Sequence, residues 1–240
     1  MTISSQALSP ASRIFVSIDT PETASARALA ERLADRVGGI KLGLEFFVGQ
    51  GPAGIRSVVS GIGLPLFIDL KLHDIPNTVA AAVRAMLPLQ PTFLTIHTSG
   101  GPAMMRAAAE AASMTDLQRP RLLGVTVLTS LDDDDLVSVG QSVPVLDQAR
   151  RLAALAQSSG LDGVICSPAE VAALRADCGP DFVLMVPGIR PAGSAVGDQK
   201  RVMTPRDAVE QGADYLVIGR PITQASDPAS AARSIVKELT

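Results

Sequence analysis

The segment Phe67-Ile68-Asp69-Leu70-Lys71-Leu72-His73-Asp74-Ile75-Pro76-Asn77-Thr78 crowds acids and a lysine behind an apolar run. Asp69 and Lys71 are two residues apart, so on an extended strand their side chains share a face. Charges on a buried face are expensive unless they are paired. Asp74 follows on the loop, near enough to join the pair or to reach a neighbouring chain. A second lysine, Lys41, lies in the apolar run Gly39-Ile40-Lys41-Leu42-Gly43. If it also points inward, two lysines alternate with two aspartates. A lysine held beside carboxylates keeps its proton, because negative charge favours the charged form. It is then a general acid and not a Schiff-base nucleophile, which would need a lowered pKa. A positioned acid suits a reaction that builds a carbanion. The competing reading is a structural salt-bridge network; the concentration of charge at two strand ends favours chemistry.

A second constellation suits an anion. The last apolar run leads into Gly219-Arg220-Pro221, and the one before it into Pro187-Gly188-Ile189-Arg190-Pro191. Gly219 lets backbone N–H groups approach a ligand, and Arg220 supplies a charged fork. Arg190 is a second arginine at the equivalent place, and Gln199 lies on the loop that follows it. Taken alone, Gly-Arg-Pro is a turn with a solvated arginine. Two such arginines in adjacent units point instead to a phosphate site.

These residues need elements to carry them. Short apolar runs lie at Ile14–Ile18, Gly39–Gly43, residues 65–70, Phe93–His97, residues 122–128, residues 163–166, residues 182–186 and Tyr215–Ile218. Such runs read as strands buried on both faces, as a parallel sheet requires. Between them lie helical patterns. Residues 21–36 carry Ala24, Ala28 and Leu29 at helical spacing, with Thr20 as N-cap and Pro21 at the first position. Residues 143–159 and 226–239 are similar, and Thr204, Pro205 and Asp207 open a shorter helix that Gly212 can end. Eight β-α alternations without a linker predict a single (β/α)8 TIM barrel over residues 13–240, after a flexible tail at 1–12. An open, doubly wound sheet is the competing architecture. The two long irregular stretches, 129–142 and 187–203, follow the fifth and seventh strands, on the barrel face that carries active sites. The first is the candidate lid; its acidic run, 132–135, reads as a solvated loop.

The 240 residues suit one such domain, since these barrels commonly fill about 250. Net charge is −3, which points to neither nucleic acid nor a membrane surface as partner. No apolar run approaches the roughly 18 residues of a membrane span, and the first residues lack a signal-peptide core. Two cysteines, Cys166 and Cys178, are too few for a disulfide framework, so a cytoplasmic setting is expected. Cys166 ends an apolar strand and reads as packed and inert. His73 and His97 are the only histidines, too few for a convincing metal site. His73 reads as a structural neighbour of the charged cluster, and His97 as a buried hydrogen-bonding group.

Asp69-Leu70-Lys71-Leu72-His73-Asp74-Ile75-Pro76-Asn77-Thr78 resembles the signature of the orotidine 5′-phosphate decarboxylase family. Ile18-Asp19, Ile40-Lys41-Leu42-Gly43, His97-Thr98-Ser99-Gly100-Gly101, Val125-Thr126-Val127-Leu128-Thr129-Ser130, Pro187-Gly188-Ile189-Arg190-Pro191 and Ile218-Gly219-Arg220-Pro221-Ile222 fall in the family's order, so the resemblance runs from the first strand to the last. It implies a (β/α)8 barrel, usually a homodimer, that converts orotidine 5′-phosphate to uridine 5′-phosphate and CO2 without metal or organic cofactor. By similarity, Lys71 delivers the proton to C6 of the ring and Asp69 sits beside the departing carboxylate. Asp74 and Thr78 come from the partner subunit. Lys41 and Asp19 hold ribose hydroxyls, and Lys41 also joins the charged cluster. Thr129 and Ser130 lie at the pyrimidine edge. Arg220 and the Gly219 backbone take the phosphate, helped by Arg190 and Gln199, with Pro187 in the same stretch. The chain departs from many members at Val186, where they carry threonine.

Two alternatives are carried forward. A magnesium-dependent sugar-phosphate decarboxylase or aldolase of the same barrel superfamily would share the Asp-x-Lys-x-x-Asp core, but not the His-Asp-Ile-Pro-Asn-Thr continuation. A non-catalytic nucleotide-binding barrel would have no need of a costly charged cluster.

Overall fold

The computed structural model describes residues 8–191 and 203–240. Eight parallel strands pair in chain order and close on themselves: β1 (Ile14–Ile18), β2 (Gly39–Gly43), β3 (Leu66–Leu72), β4 (Phe93–His97), β5 (Arg121–Val125), β6 (Gly163–Ile165), β7 (Val183–Val186) and β8 (Tyr215–Ile218). The ring is sealed by β8 against β1, with Phe15 opposite Val217. Closure excludes the open sheet.

Period-two alternation divides each strand between two cores. Residues of one parity, among them Val16, Ile40, Ile68, Leu94, Leu184 and Leu216, face outward and pack under the helices. Residues of the other parity fill the barrel: Phe15, Phe67, Phe93, Leu123, Val183, Met185 and Val217 form a separate cluster. Its rings meet edge to face, Phe15 with Phe93 at 5.3 Å and Phe93 with Tyr215 at 5.1 Å, the preferred aromatic geometry. This plug is the barrel floor. Two residues further along the same strands the inward positions turn polar. Ser17, Lys41, Asp69 and Thr95 are all buried there. The alternation that builds the core therefore also aims the charges.

The helices are α1 (Thr23–Leu33), α2 (Leu44–Val59), α3 (Pro76–Met86), α4 (Gly101–Ala112), α5 (Asp133–Ser138), α6 (Val145–Ser158), α7 (Val171–Cys178), α8 (Pro205–Glu210), α9 (Arg220–Thr223) and α10 (Pro228–Glu238). On α6, Ala149, Leu152, Ala153 and Ala156 form the buried stripe, the spacing of one helical face. Met104 and Met105 of α4 are core packing. Thr204 caps α8, accepting the Asp207 N–H, as its sequence predicts.

Several expected boundaries move. The first helix starts at Thr23, and Thr20 does not cap it; its hydroxyl donates to Glu22 Oε2 at 2.6 Å instead. Strand β3 runs on to Leu72, because an irregularity lets it continue past Asp69. Strand β5 ends at Val125, where the Thr126 hydroxyl donates to Ile165 O at 3.1 Å and the chain turns outward to expose Leu128. The acidic run expected as a loop opens α5. The Asp132 carboxylate accepts the Asp135 N–H at 3.1 Å, and the Asp135 carboxylate accepts the Asp132 N–H, also at 3.1 Å, a reciprocal capping box. In the expected tail, Ala11–Arg13 forms a 3-10 turn leading into β1. Among the described residues no helix is long and apolar enough to cross a membrane.

Candidate active site

At the C-terminal mouth of the barrel, four charges alternate in sign across three strands. Lys71 Nζ donates to both Asp69 oxygens, at 2.8 and 2.9 Å. Lys41 Nζ lies 3.4 Å from Asp69 Oδ2 and 3.7 Å from Asp19 Oδ1. The Ser17 hydroxyl lies 2.9 Å from each Asp19 oxygen. The chain of contacts is therefore Asp19, Lys41, Asp69, Lys71. The second aspartate of the alternation is Asp19. Asp74 is exposed on the loop after β3, and its carboxylate accepts its neighbour's N–H, from Ile75, at 2.6 Å. Thr78 is exposed beside it, in the first turn of α3.

The local fold explains the lysine's position. Between the Ile68–Leu94 and Leu72–Ile96 pairings, Asp69, Leu70 and Lys71 all stand opposite Thr95 alone. The surplus is taken up at Lys71, whose φ is +51°. A left-handed lysine costs about 1–3 kcal/mol and persists only where its surroundings hold it. Bulges of this kind re-aim side chains near active sites. Close approach matters on the next strand too. A Cβ added to Gly43 would stand 3.1 Å from Lys41 Nζ, so a side chain there would press on the ammonium.

Burial pushes the Asp69 carboxyl upward, but the Lys41 and Lys71 ammoniums, with hydrogen bonds from Lys71 and Thr95, outweigh it and hold the group below the usual carboxylate range. Asp69 is thus a fixed anion. His97, at the end of β4, stacks against His73 with ring centroids 5.4 Å apart. Burial, then His73 and Lys71, push its pKa down, against a smaller opposing pull from Asp69. It is neutral near pH 7, beside the cluster and not a ligand within it. Among the described residues no group of three or more His, Cys, Asp or Glu side chains is placed to hold a metal.

The mouth opens into a cavity of about 760 Å³. Its lining includes Ser17, Asp19, Lys41 and Asp69, on or just after the first three strands, and Pro187, Gly188, Arg190, Gly219 and Arg220 from the segments after β7 and β8. Arg220 is the first residue of α9, with Gly219 as its N-cap. Gly188 has φ +77°, a conformation open to glycine at no steric cost, and turns the chain so that Arg190 follows at the rim. The Ile189–Met203 bridge and the Arg190 N–H bond to Met203 O, 3.0 Å, tie the two ends of this loop together. Gln199 lies outside the described residues. Thr129 and Ser130 sit after β5, where the candidate lid begins. Val186 is a fully buried strand residue. Cys166 is buried, and burial raises its thiol well above the ordinary value.

Sequence reasoning missed Thr95 and Ser17. The signal was present: each is a hydroxyl within an apolar run, at the inward parity set by Phe93 and Phe15. Arginines and a lysine-aspartate array lining one cavity suit a small phosphorylated ligand held by the phosphate while chemistry occurs at the lysine.

The chain is similar to known proteins over nearly its whole length. The family model described as orotidine 5′-phosphate decarboxylase / HUMPS family matches residues 12–235. A protein of Paramagnetospirillum magneticum named orotidine 5′-phosphate decarboxylase is 59% identical over 230 residues, covering 94% of this chain and 97% of its own. One of the same name from Rhodospirillum rubrum is 57% identical over 230 residues, covering 94% and 93%. Among solved structures, the orotidine 5′-phosphate decarboxylase of Lactobacillus acidophilus superimposes with a TM-score of 0.82 at 37% identity, over 95% of this chain and 98% of that one.

Proposed function

The chain belongs to the orotidine 5′-phosphate decarboxylase family, and from that premise we propose how its residues divide the work. The reaction is decarboxylation of orotidine 5′-phosphate to uridine 5′-phosphate and CO2, the last step of UMP biosynthesis. The observation that carries the assignment of roles is the alternating Asp19, Lys41, Asp69, Lys71 array at the barrel mouth.

Breaking the bond between C6 and the carboxylate leaves an electron pair on C6 that the ring delocalises poorly. The site must stabilise charge that exists only in the transition state. Lys71 is the group for this. Its ammonium is held by both oxygens of Asp69, faces the developing carbanion, and then gives up a proton to C6. Asp69 keeps the lysine charged and crowds the substrate carboxylate. Lys41 and Asp19 take ribose hydroxyls. Arg220, the Gly219 N–H and Arg190, with Gln199, take the phosphate. Thr129 and Ser130 meet the pyrimidine edge, and residues 129–142 close over it. The phosphate lies far from C6, so its binding energy serves to close loops and to orient the ring.

A homodimer completes the reading. Asp74 and Thr78 are exposed, and Ile75 between them is 67% exposed. Leu44 and Val48, at the start of α2 on the neighbouring unit, are 52% and 81% exposed. A second copy covering this side would bring its Asp74 toward Lys71. The proposed setting is cytoplasmic, in keeping with two unpaired thiols. No metal or cofactor is assigned a role.

The test is loss of orotidine 5′-phosphate absorbance with EDTA present. Conversion to uridine 5′-phosphate is expected from the parent chain. Lys71→Ala is expected to lower turnover by at least about a thousandfold while still binding uridine 5′-phosphate. Near-normal turnover by Lys71→Ala would remove the proton-donor assignment. Activity on a sugar phosphate only with added magnesium would assign the chain to the other branch of its superfamily.

A further inference from the structure

We infer that Thr95, which stands opposite the irregularity in β3, is a positioning residue that sets both the backbone of Lys71 and the carboxylate of Asp69. The inference rests on the reading of Lys71 as proton donor. Thr95 is 0% exposed on β4. Its Oγ1 accepts the Lys71 N–H at 2.9 Å and donates its only proton to Asp69 Oδ1, also at 2.9 Å. One hydroxyl therefore bridges the main chain of one reacting group and the side chain of the other.

The register explains why this bridge is needed. A regular parallel ladder would pair the Lys71 N–H with a carbonyl of β4. Here Asp69, Leu70 and Lys71 share one partner residue, and the N–H goes to a side chain. A buried N–H without an acceptor is costly, and so is an unsupported left-handed φ at a non-glycine residue. The Thr95 hydroxyl answers both requirements. Its second bond fixes the Asp69 oxygen that also accepts from Lys71 Nζ, at 2.8 Å. The Lys71 ammonium is thereby held from both ends of its own residue.

The same hydroxyl acts on the charge of Asp69. Its hydrogen bond is one of the influences that hold the carboxyl low, beside Lys41 from β2 and Lys71 from the same strand. The other charged or titratable groups facing this carboxylate are Asp19, across Lys41, and His97, further along β4. Removing the hydroxyl leaves those four in place. The Asp69 pKa then rises, and the anion is lost at a higher pH than in the parent.

Thr95→Val keeps the branched shape and removes both hydrogen bonds. Thr95→Ser keeps the hydroxyl. For Thr95→Val, kcat is expected to fall about tenfold or more, the size of one or two lost hydrogen bonds. KM and uridine 5′-phosphate affinity should stay within about threefold of the parent. The acid limb of the kcat profile should move to higher pH, and Thr95→Ser should restore both kcat and the limb. If Thr95→Val does not fold, Thr95→Ala carries the same readouts. Parent-like kcat with an unmoved acid limb would overturn the inference. So would equal losses of turnover, product affinity and melting temperature in Thr95→Val and Thr95→Ser, because a purely structural role predicts that pattern. A Lys71→Ala chain that still turns over fails the proton-donor reading instead, and the two failures are separable.

Discussion

At the mouth each ionisable side chain is set by its neighbours more than by its own chemistry. Asp69 is the clearest case, a buried side chain kept anionic by two ammoniums and two hydrogen bonds. His97 is the converse, a base kept neutral by burial and by nearby positive charge. Its folded pKa lies below the ordinary imidazole value, so the unfolded chain takes up the proton first. The stability it contributes is fully present above about pH 6.5 and is lost as pH falls through the lower, folded value. The parent should therefore lose melting temperature between pH 7 and pH 5, and His97→Asn should show a shallower slope over that window. An equally steep fall in the variant would mean that other groups set it. Asp69 acts in the same direction but in the acid range, where protonation releases Lys71 and Lys41. Most of these residues were legible in the chain, because Asp69, Lys71 and Lys41 announce themselves as charges inside apolar runs. Thr95 does not. A threonine in a strand is ordinary, and only the register with its neighbour gives it two polar partners.

The strand that bears Lys71 and the helix on the proposed lid differ in how they are held. Strand β3 is locked between β2 and β4, and its irregularity places Lys71. Helix α5 is short and lies on the candidate lid, with only Leu136 buried. Its stability leans on the Asp132 and Asp135 capping box. Asp132→Ala should destabilise it by about 1 kcal/mol. Amide exchange through residues 133–138 should quicken roughly fivefold, while the global unfolding midpoint barely changes. Unchanged exchange would mean that packing of Leu136 holds the turn without the cap. The sequence pattern located every strand because strands buried on both faces leave uninterrupted apolar runs. It misjudged their ends at β3 and β5, where departures depend on partners in other strands. It also read 132–135 as loop, since four acids look solvated until their spacing to one another is taken as a cap.

The whole molecule is a closed cylinder with its floor sealed and its mouth open. Leu44 and Val48 follow β2, Ile75 follows the neighbouring β3, and all three are exposed. If a second copy covers them, Ile75→Asp should weaken the dimer at least about thirtyfold, as loss of an interface anchor does. Sedimentation should then show monomer, with turnover falling alongside because Asp74 no longer reaches its partner's site. A dimer unmoved by this change would place the interface elsewhere. The floor has a consequence of a different kind. The chain has one tyrosine and no tryptophan, and that tyrosine, Tyr215, sits in the aromatic plug against Phe15 and Phe93. Native ultraviolet emission therefore comes from a single lamp at the bottom of the barrel. It reports when the cylinder comes apart, and the protein's faint absorbance leaves the pyrimidine spectrum in clear view during turnover.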